Sequence, residues 1–167
     1  LYGVQGELWK SSDIGLTWIL QPSTIPGKVS SACITPSGNL WAAVDIGKVL
    51  RSTNGASSWE TNLNQYFTYS NLNSVKFFNS NTGWVCGLEG KLYKTVNGGM
   101  NWIPMSTGAD STYSFLSMLF INSTTGFICG SINSSTGFIF RTTNEGLNWQ
   151  TTYQDSFQVN TMTFLNN

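Results

Sequence analysis

The residues able to do chemistry are few. They comprise eight carboxylates (Glu7, Asp13, Asp45, Glu60, Glu89, Asp110, Glu145 and Asp155), two arginines (Arg51 and Arg141), three cysteines and no histidine. Two carboxylates across a cleft would be the minimum for hydrolysing a glycoside. Asp45 and Glu89 are the pair whose places in the chain would let them face each other. Asp13 belongs to a turn, and Glu7 and Glu145 lie in or beside turns. Without histidine there is no Ser-His or Cys-His nucleophile system, and no glycine-rich phosphate loop opens a helix. With no cysteine pair at ligand spacing, neither a structural zinc site nor any other metal or cofactor is expected. Cys86 and Cys129 each follow a glycine, Gly83 and Gly126, by three residues. Their pattern and the odd count fit buried small hydrophobes rather than a disulfide framework. The chemistry-bearing residues therefore point away from an enzyme.

The elements that must position these residues repeat. Gly6-Glu7-Leu8-Trp9-Lys10 leads through Ser11, Asp13 and Gly15 to Trp18. The same order returns from Gly47 through Ser52 and Asn54 to Trp59, from Gly90 through Thr95, Asn97 and Gly99 to Trp102, and from Gly137 through Thr142, Asn144 and Gly146 to Trp149. A recurrence of about 40–47 residues is in the range of propeller blades. In each copy two adjacent positions are apolar and point to opposite faces of a strand, so both faces need burial. Blades stacked face to face supply it. The short oxygen-bearing side chains that follow suit a tight turn.

Ser11-x-Asp13-x-Gly15-x-Thr17-Trp18 matches the Asp-box (BNR) repeat in full. The third and fourth copies carry Asn97 and Asn144 in place of the aspartate. The second departs furthest, with Asn54 and with Ala56 where glycine is expected. The wider pattern across 83–102 resembles the Ycf48 photosystem-assembly-factor group of Asp-box propellers. That resemblance implies a propeller with a protein client met by a basic patch. Lys10, Arg51, Lys94 and Arg141 share one repeated position, which could form such a patch or pair locally beside the turns. Sialidases are similar in fold, but their triad of arginines cannot be built from two.

The fold class expected is all-β: a propeller of four-stranded antiparallel blades, read as strands a to d, with blades at 1–21 plus 159–167, 29–63, 72–106 and 115–153. The C-terminal strand would complete the first blade and close a ring of about four; the alternative is a slice of a larger propeller. Charge is sparse and balanced, with eight basic and eight acidic residues. No long-range field steers the chain to nucleic acid, and no apolar run approaches the roughly 20 residues of a membrane span. The Asn-, Ser- and Thr-rich polar positions suit a secreted or cell-surface protein. Asn122-Ser123-Thr124 and Asn133-Ser134-Ser135 fit the glycosylation sequon.

In a propeller the d–a and b–c connections share one rim, and the a–b and box turns share the other. The d–a connectors carry Tyr66, Phe67 and Tyr69, then Tyr113, then Tyr153 and Phe157. An inserted b–c loop, 131–136, brings Asn133 and Ser134 to the same rim. Aromatics beside amides suit stacking on a sugar or a peptide. The expected function is a non-enzymatic extracellular or cell-surface binding or assembly module for a protein or glycan partner, with assembly to copies of itself or to other domains as a structural variant. The alternative is a fragment of a sialidase-like or other glycan-active enzyme whose catalytic residues lie outside this chain.

Overall fold

The structure is a computed structural model that describes residues 7–21, 25, 27–45, 47–61 and 70–164. Among these residues every regular element is a strand. β1 (Leu8–Lys10) and β2 (Ile19–Gln21) form a hairpin, blade I. Blade II is β3 (Val29–Ile34), β4 (Leu40–Val44), β5 (Lys48–Ser52) and β6 (Glu60–Thr61). Blade III is β7 (Leu72–Phe77), β8 (Gly83–Gly87), β9 (Leu92–Thr95) and β10 (Ile103–Pro104). Blade IV is β11 (Tyr113–Phe120), β12 (Gly126–Ile132), β13 (Thr136–Thr142) and β14 (Gln150–Asp155). Blades II, III and IV are four-stranded antiparallel sheets whose strands pair in chain order. Their second strands are almost wholly buried, as a strand sandwiched between neighbouring blades must be.

The four box turns share one hydrogen-bond scheme. The hydroxyls of Ser11, Ser52, Thr95 and Thr142 accept from the backbone N–H four residues on, at 2.7, 3.0, 2.9 and 3.0 Å. Each hydroxyl donates to the side-chain oxygen two residues on, in Asp13, Asn54, Asn97 or Asn144. That oxygen accepts from the N–H of Thr17, Ser58, Asn101 or Asn148 at 2.9–3.0 Å. An asparagine presents the same acceptor oxygen as an aspartate, which is why the substitution leaves the turn intact.

Consecutive blades are joined by one repeated contact. The ring of Trp41 on β4 enters a slot made by Phe77, Gly99 and Trp102 of blade III. It stacks on Phe77 at 4.9 Å and meets Trp102 edge-on at 5.9 Å. Trp84 on β8 enters the corresponding slot of blade IV, stacked on Phe120 at 5.0 Å and edge-on to Trp149 at 6.4 Å. The slot floor is glycine because nothing larger fits: a Cβ at Gly99 or Gly146 would stand 2.0 or 2.2 Å from the indole. The repeated cations cap these rings. Arg51 lies over Trp41 at 5.8 Å and Lys94 over Trp84 at 4.9 Å. Lys94 also donates to the carbonyl of Glu145, at 3.0 Å, in the box turn of the next blade. The second box, where Ala56 stands at φ 75°, receives no such indole among the described residues; its methyl packs with Leu8 of blade I.

Three details differ from the sequence reading. Residues 131–136 do not form a loose loop. They lengthen β12 and β13, with Ile132 opposite Thr136 and a tight turn through Asn133 (φ 50°) and Ser134 (φ 60°), the left-handed pair that matches strand twist. Gln150–Asp155 is an outer strand rather than a connector, because the longer β13 offers it a pairing edge as far as Gly137. Tyr113 likewise opens β11 and sits in the core, its ring 5.1 Å from that of Phe138. The C-terminal segment to Phe164 lies against blade IV: the Val159 N–H donates to the Gly130 carbonyl at 3.2 Å, and Phe164 packs on Phe127 at 4.7 Å. Its expected partners at Leu1–Gly3 lie outside the described residues.

Gly146→Ala should destabilise the protein by about 2–4 kcal/mol, from a methyl forced into the Trp84 ring and a non-glycine residue at φ 76°. Gly38→Ala, at φ 84° with nothing within 4 Å of the added methyl, should cost only about 1 kcal/mol. Denaturant melts of both variants compare them, and equal losses would mean that backbone conformation alone selects glycine in the box.

Candidate functional site

The two rims are chemically distinct. On one, each box turn is bonded to the a–b turn of its own blade: Gly98 donates to the Asn81 carbonyl at 2.8 Å and Glu145 to the Thr124 carbonyl at 3.0 Å. On the other, the b–c turns meet the chain entering blade IV. Gly90 donates to the Tyr113 carbonyl at 2.8 Å, and Asn133 to the Thr112 carbonyl at 2.9 Å. The extended β12–β13 hairpin is thereby pinned beside residues 110–113.

At the centre of this second rim, one residue from each innermost strand position reaches a common cavity of about 400 Å³. These are Ser30, Asn73, Leu116 and Asn160, joined by Lys28 and Gln158. They occupy one repeated place, the second residue of strand a. The lining is mostly uncharged amide and hydroxyl. Asn73 donates to the Phe115 carbonyl at 2.8 Å, which ties two neighbouring inner strands at the mouth. A second cavity of about 380 Å³ lies on the same rim, between Glu89–Lys91 and Pro104–Ala109. A third, of about 410 Å³, lies between the blade I hairpin and blade II, among Leu8, Trp9, Ala56 and Trp59.

Of the rim residues read from sequence, Tyr66, Phe67 and Tyr69 lie outside the described residues. Asn133 and Ser134 are exposed at the hairpin tip. Phe157 is 76% exposed, and its backbone carbonyl crosses directly over Gly137 at the hairpin base. Tyr153 is exposed on the outermost strand, its hydroxyl 3.5 Å from Asp155. Tyr113 is half-buried with Phe138 and Phe140 behind the rim. The structure thus brings together Asn133, Ser134 and the 110–113 segment, and sets Tyr153 apart on the outer flank. Sequence reasoning missed the axial residues. Their signal was a polar side chain, Ser30, Asn73 or Asn160, recurring inside a strand flanked by apolar positions.

The carboxylates are occupied by backbone geometry. Asp45 accepts from the Lys28 N–H at 3.0 Å. Asp110 accepts from the Thr112 hydroxyl and N–H, and Asp155 from the Ser156 N–H; these bonds hold both carboxyls below the ordinary aspartate range. Asp13 is held at about 2 by the hydroxyl and N–H of Thr17 and the hydroxyl of Ser11. A general acid needs the opposite shift. Burial pushes the Cys33 and Cys129 thiols up to about 11, and that of Cys86 higher still, so all three stay protonated and unreactive.

The family model of photosynthesis system II assembly factor YCF48 matches residues 5–134. The chain belongs to that family. Among solved structures it is similar to YCF48 bound to a D1 peptide, at 19% identity and TM-score 0.67, covering 90% of this chain and 47% of that one. It is similar to YCF48 from Cyanidioschyzon merolae at 14% identity and TM-score 0.65, covering 90% and 54%. An ancestral GH74 enzyme is similar at 20% identity and TM-score 0.71, over 89% of this chain and 21% of that one. The chain therefore spans about half the length of the YCF48 structures it matches. No curated protein sequence matches it.

Asp13 gives a pH test of the box. Its folded pKa of about 2 lies below the ordinary 3.8, so the stabilisation from its ionised form is complete above the unfolded value and is lost as pH falls through the folded one. Asp13→Asn, which copies the Asn97 and Asn144 boxes, should keep the turn and remove this part of the acid dependence. Carboxyl titration by NMR and melts between about pH 2 and 5 check it. An Asp13 that titrates at its ordinary value would contradict the bonded turn.

Proposed function

We propose that this YCF48-family chain is a non-enzymatic protein-recognition module that receives an extended peptide segment across the rim formed by the d–a and b–c connections. The observation that carries the reading is the repeated polar position at the axial cavity, Ser30, Asn73 and Asn160, beside the pinned 133–134 tip and the exposed Phe157. Amide side chains both donate and accept, so they can pair the N–H and C=O groups of a peptide backbone with little regard to its sequence. Phe157 offers a face for one apolar residue. The relative solved with a D1 peptide supports a peptide as the class of ligand. A net charge of zero separates this chain from a strongly basic receptor, and Lys94 is engaged with Trp84 and Glu145 rather than displayed. The preferred segment is therefore charge-poor. A secreted or cell-surface setting belongs to the same proposal and rests only on the Asn-, Ser- and Thr-rich composition.

The test is binding to the D1 peptide and to an array of charge-neutral extended peptides, with photo-crosslinking of the tightest. Asn160→Ala and Phe157→Ala should each weaken binding about five- to tenfold without lowering the melting temperature, and crosslinks should fall at 110–113, 133–134 and 157–160. Crosslinks on the box-turn rim, or turnover of xyloglucan oligosaccharides in place of peptide binding, would overturn the reading.

A further inference from the structure

The indole lock that joins consecutive blades is present in halves at the two ends of the described chain. Blade IV carries an aromatic knob in the place of Trp41 and Trp84, namely Phe127 on β12, and it already stacks on Phe164 at 4.7 Å. Phe164 occupies the place that Phe77 and Phe120 hold in the complete locks. Arg141 holds the place of the capping cations Arg51 and Lys94. The missing parts are a box glycine and a box tryptophan. Blade I presents them: Gly15 at φ 89° and Trp18, which is 46% exposed. Trp18 is flanked by Leu16, Ile19 and Leu20, all exposed, whereas Trp102, its equivalent in blade III, is 6% exposed. An exposed apolar cluster of this kind marks an interaction surface.

We propose that blade IV of one copy receives blade I of a second copy, so that two chains join head to tail through the same lock that joins blades II, III and IV. Three observations select a second copy. The new junction continues an interface that the chain builds twice within itself, down to the register of knob, slot phenylalanine, glycine floor and cation. The two halves do not meet within one chain, because Trp18 and Phe164 are each 46% exposed. The arc follows 47% and 54% of two YCF48 chains, so its curvature is that of a ring about twice its length, and two copies return to the start. Such a junction is heterologous at each contact, and two identical junctions close a two-fold ring. The repeat register also places Val159–Phe164 as the innermost strand of the partner's blade I, and the axial cavity would then be lined by both copies.

Sedimentation of the 167-residue chain at about 100 µM tests this. The expected particle contains two chains of 18.3 kDa. Trp18→Asp on the slot side and Phe127→Asp on the knob side should each yield single chains, a weakening of roughly a hundredfold or more. Met100→Asp, at an exposed apolar position of the blade III box turn, should leave the particle unchanged. Mixing Trp18→Asp with Phe127→Asp should restore a two-chain particle, since one intact knob then meets one intact slot. If Phe127→Asp fails to fold, Arg141→Glu serves as the knob-side variant. A wild-type chain that stays single, a dimer indifferent to both variants, or mixed variants that remain single would overturn the proposal. So would a Trp18 that is shielded within an isolated chain, since that would mean the ends close on themselves.

Discussion

The structure depends on a tryptophan ring with nowhere else to go. Trp41 and Trp84 project from strands buried on both faces, and each ring can be buried only by entering the next blade. Burying a side chain of this size contributes several kcal/mol relative to exposure, more than any single turn bond can offer. The demand propagates. The slot needs a glycine floor, the glycine needs a turn that places it, and that turn is held by the hydroxyl and amide bonds of the box. The cation at the end of strand c then lies over the ring and, through Lys94, reaches the following turn. The Asp-box is thus the receiving half of a joint between blades.

Because the joints concentrate on the box-turn side, the opposite rim is released from structural duty. That rim carries the axial amides, the lengthened hairpin and an exposed phenylalanine. It is where the chain varies most between repeats: the 131–136 insertion lies there, and connector lengths differ. A scaffold that holds its sheets together at one edge can change the other without losing its fold, which fits one architecture being shared by YCF48 proteins and GH74 enzymes.

Much of this was legible in the sequence because the repeat writes the same residues at the same interval. The Gly-to-Trp spacing gave the strands, turns and blade order, and the alternation of connections gave the two rims. What single residues do across blades was not legible. Nothing in the spacing says that Gly99 faces Trp41, since the contact joins residues 58 positions apart by fold alone. The cations looked like a ring open to ligand; two of them, Arg51 and Lys94, cap indoles, which requires knowing which ring stands beneath them. Tyr113 read as a connector aromatic because β11 begins earlier than its equivalents, extended by pairing with the longer β12. The axial asparagines escaped notice because a lone amide in a strand is common, and only their convergence gives them meaning.

Native-state hydrogen exchange on Trp84→Leu tests the lock most directly. If the indole is what joins blade III to blade IV, the amides of β11–β14 should lose protection well before those of β3–β5, because blade IV opens as a unit while the Trp41 joint persists. If all three sheets lose protection equally, Trp84 serves the core of its own sheet rather than the joint, and the account of how the blades are held together is wrong.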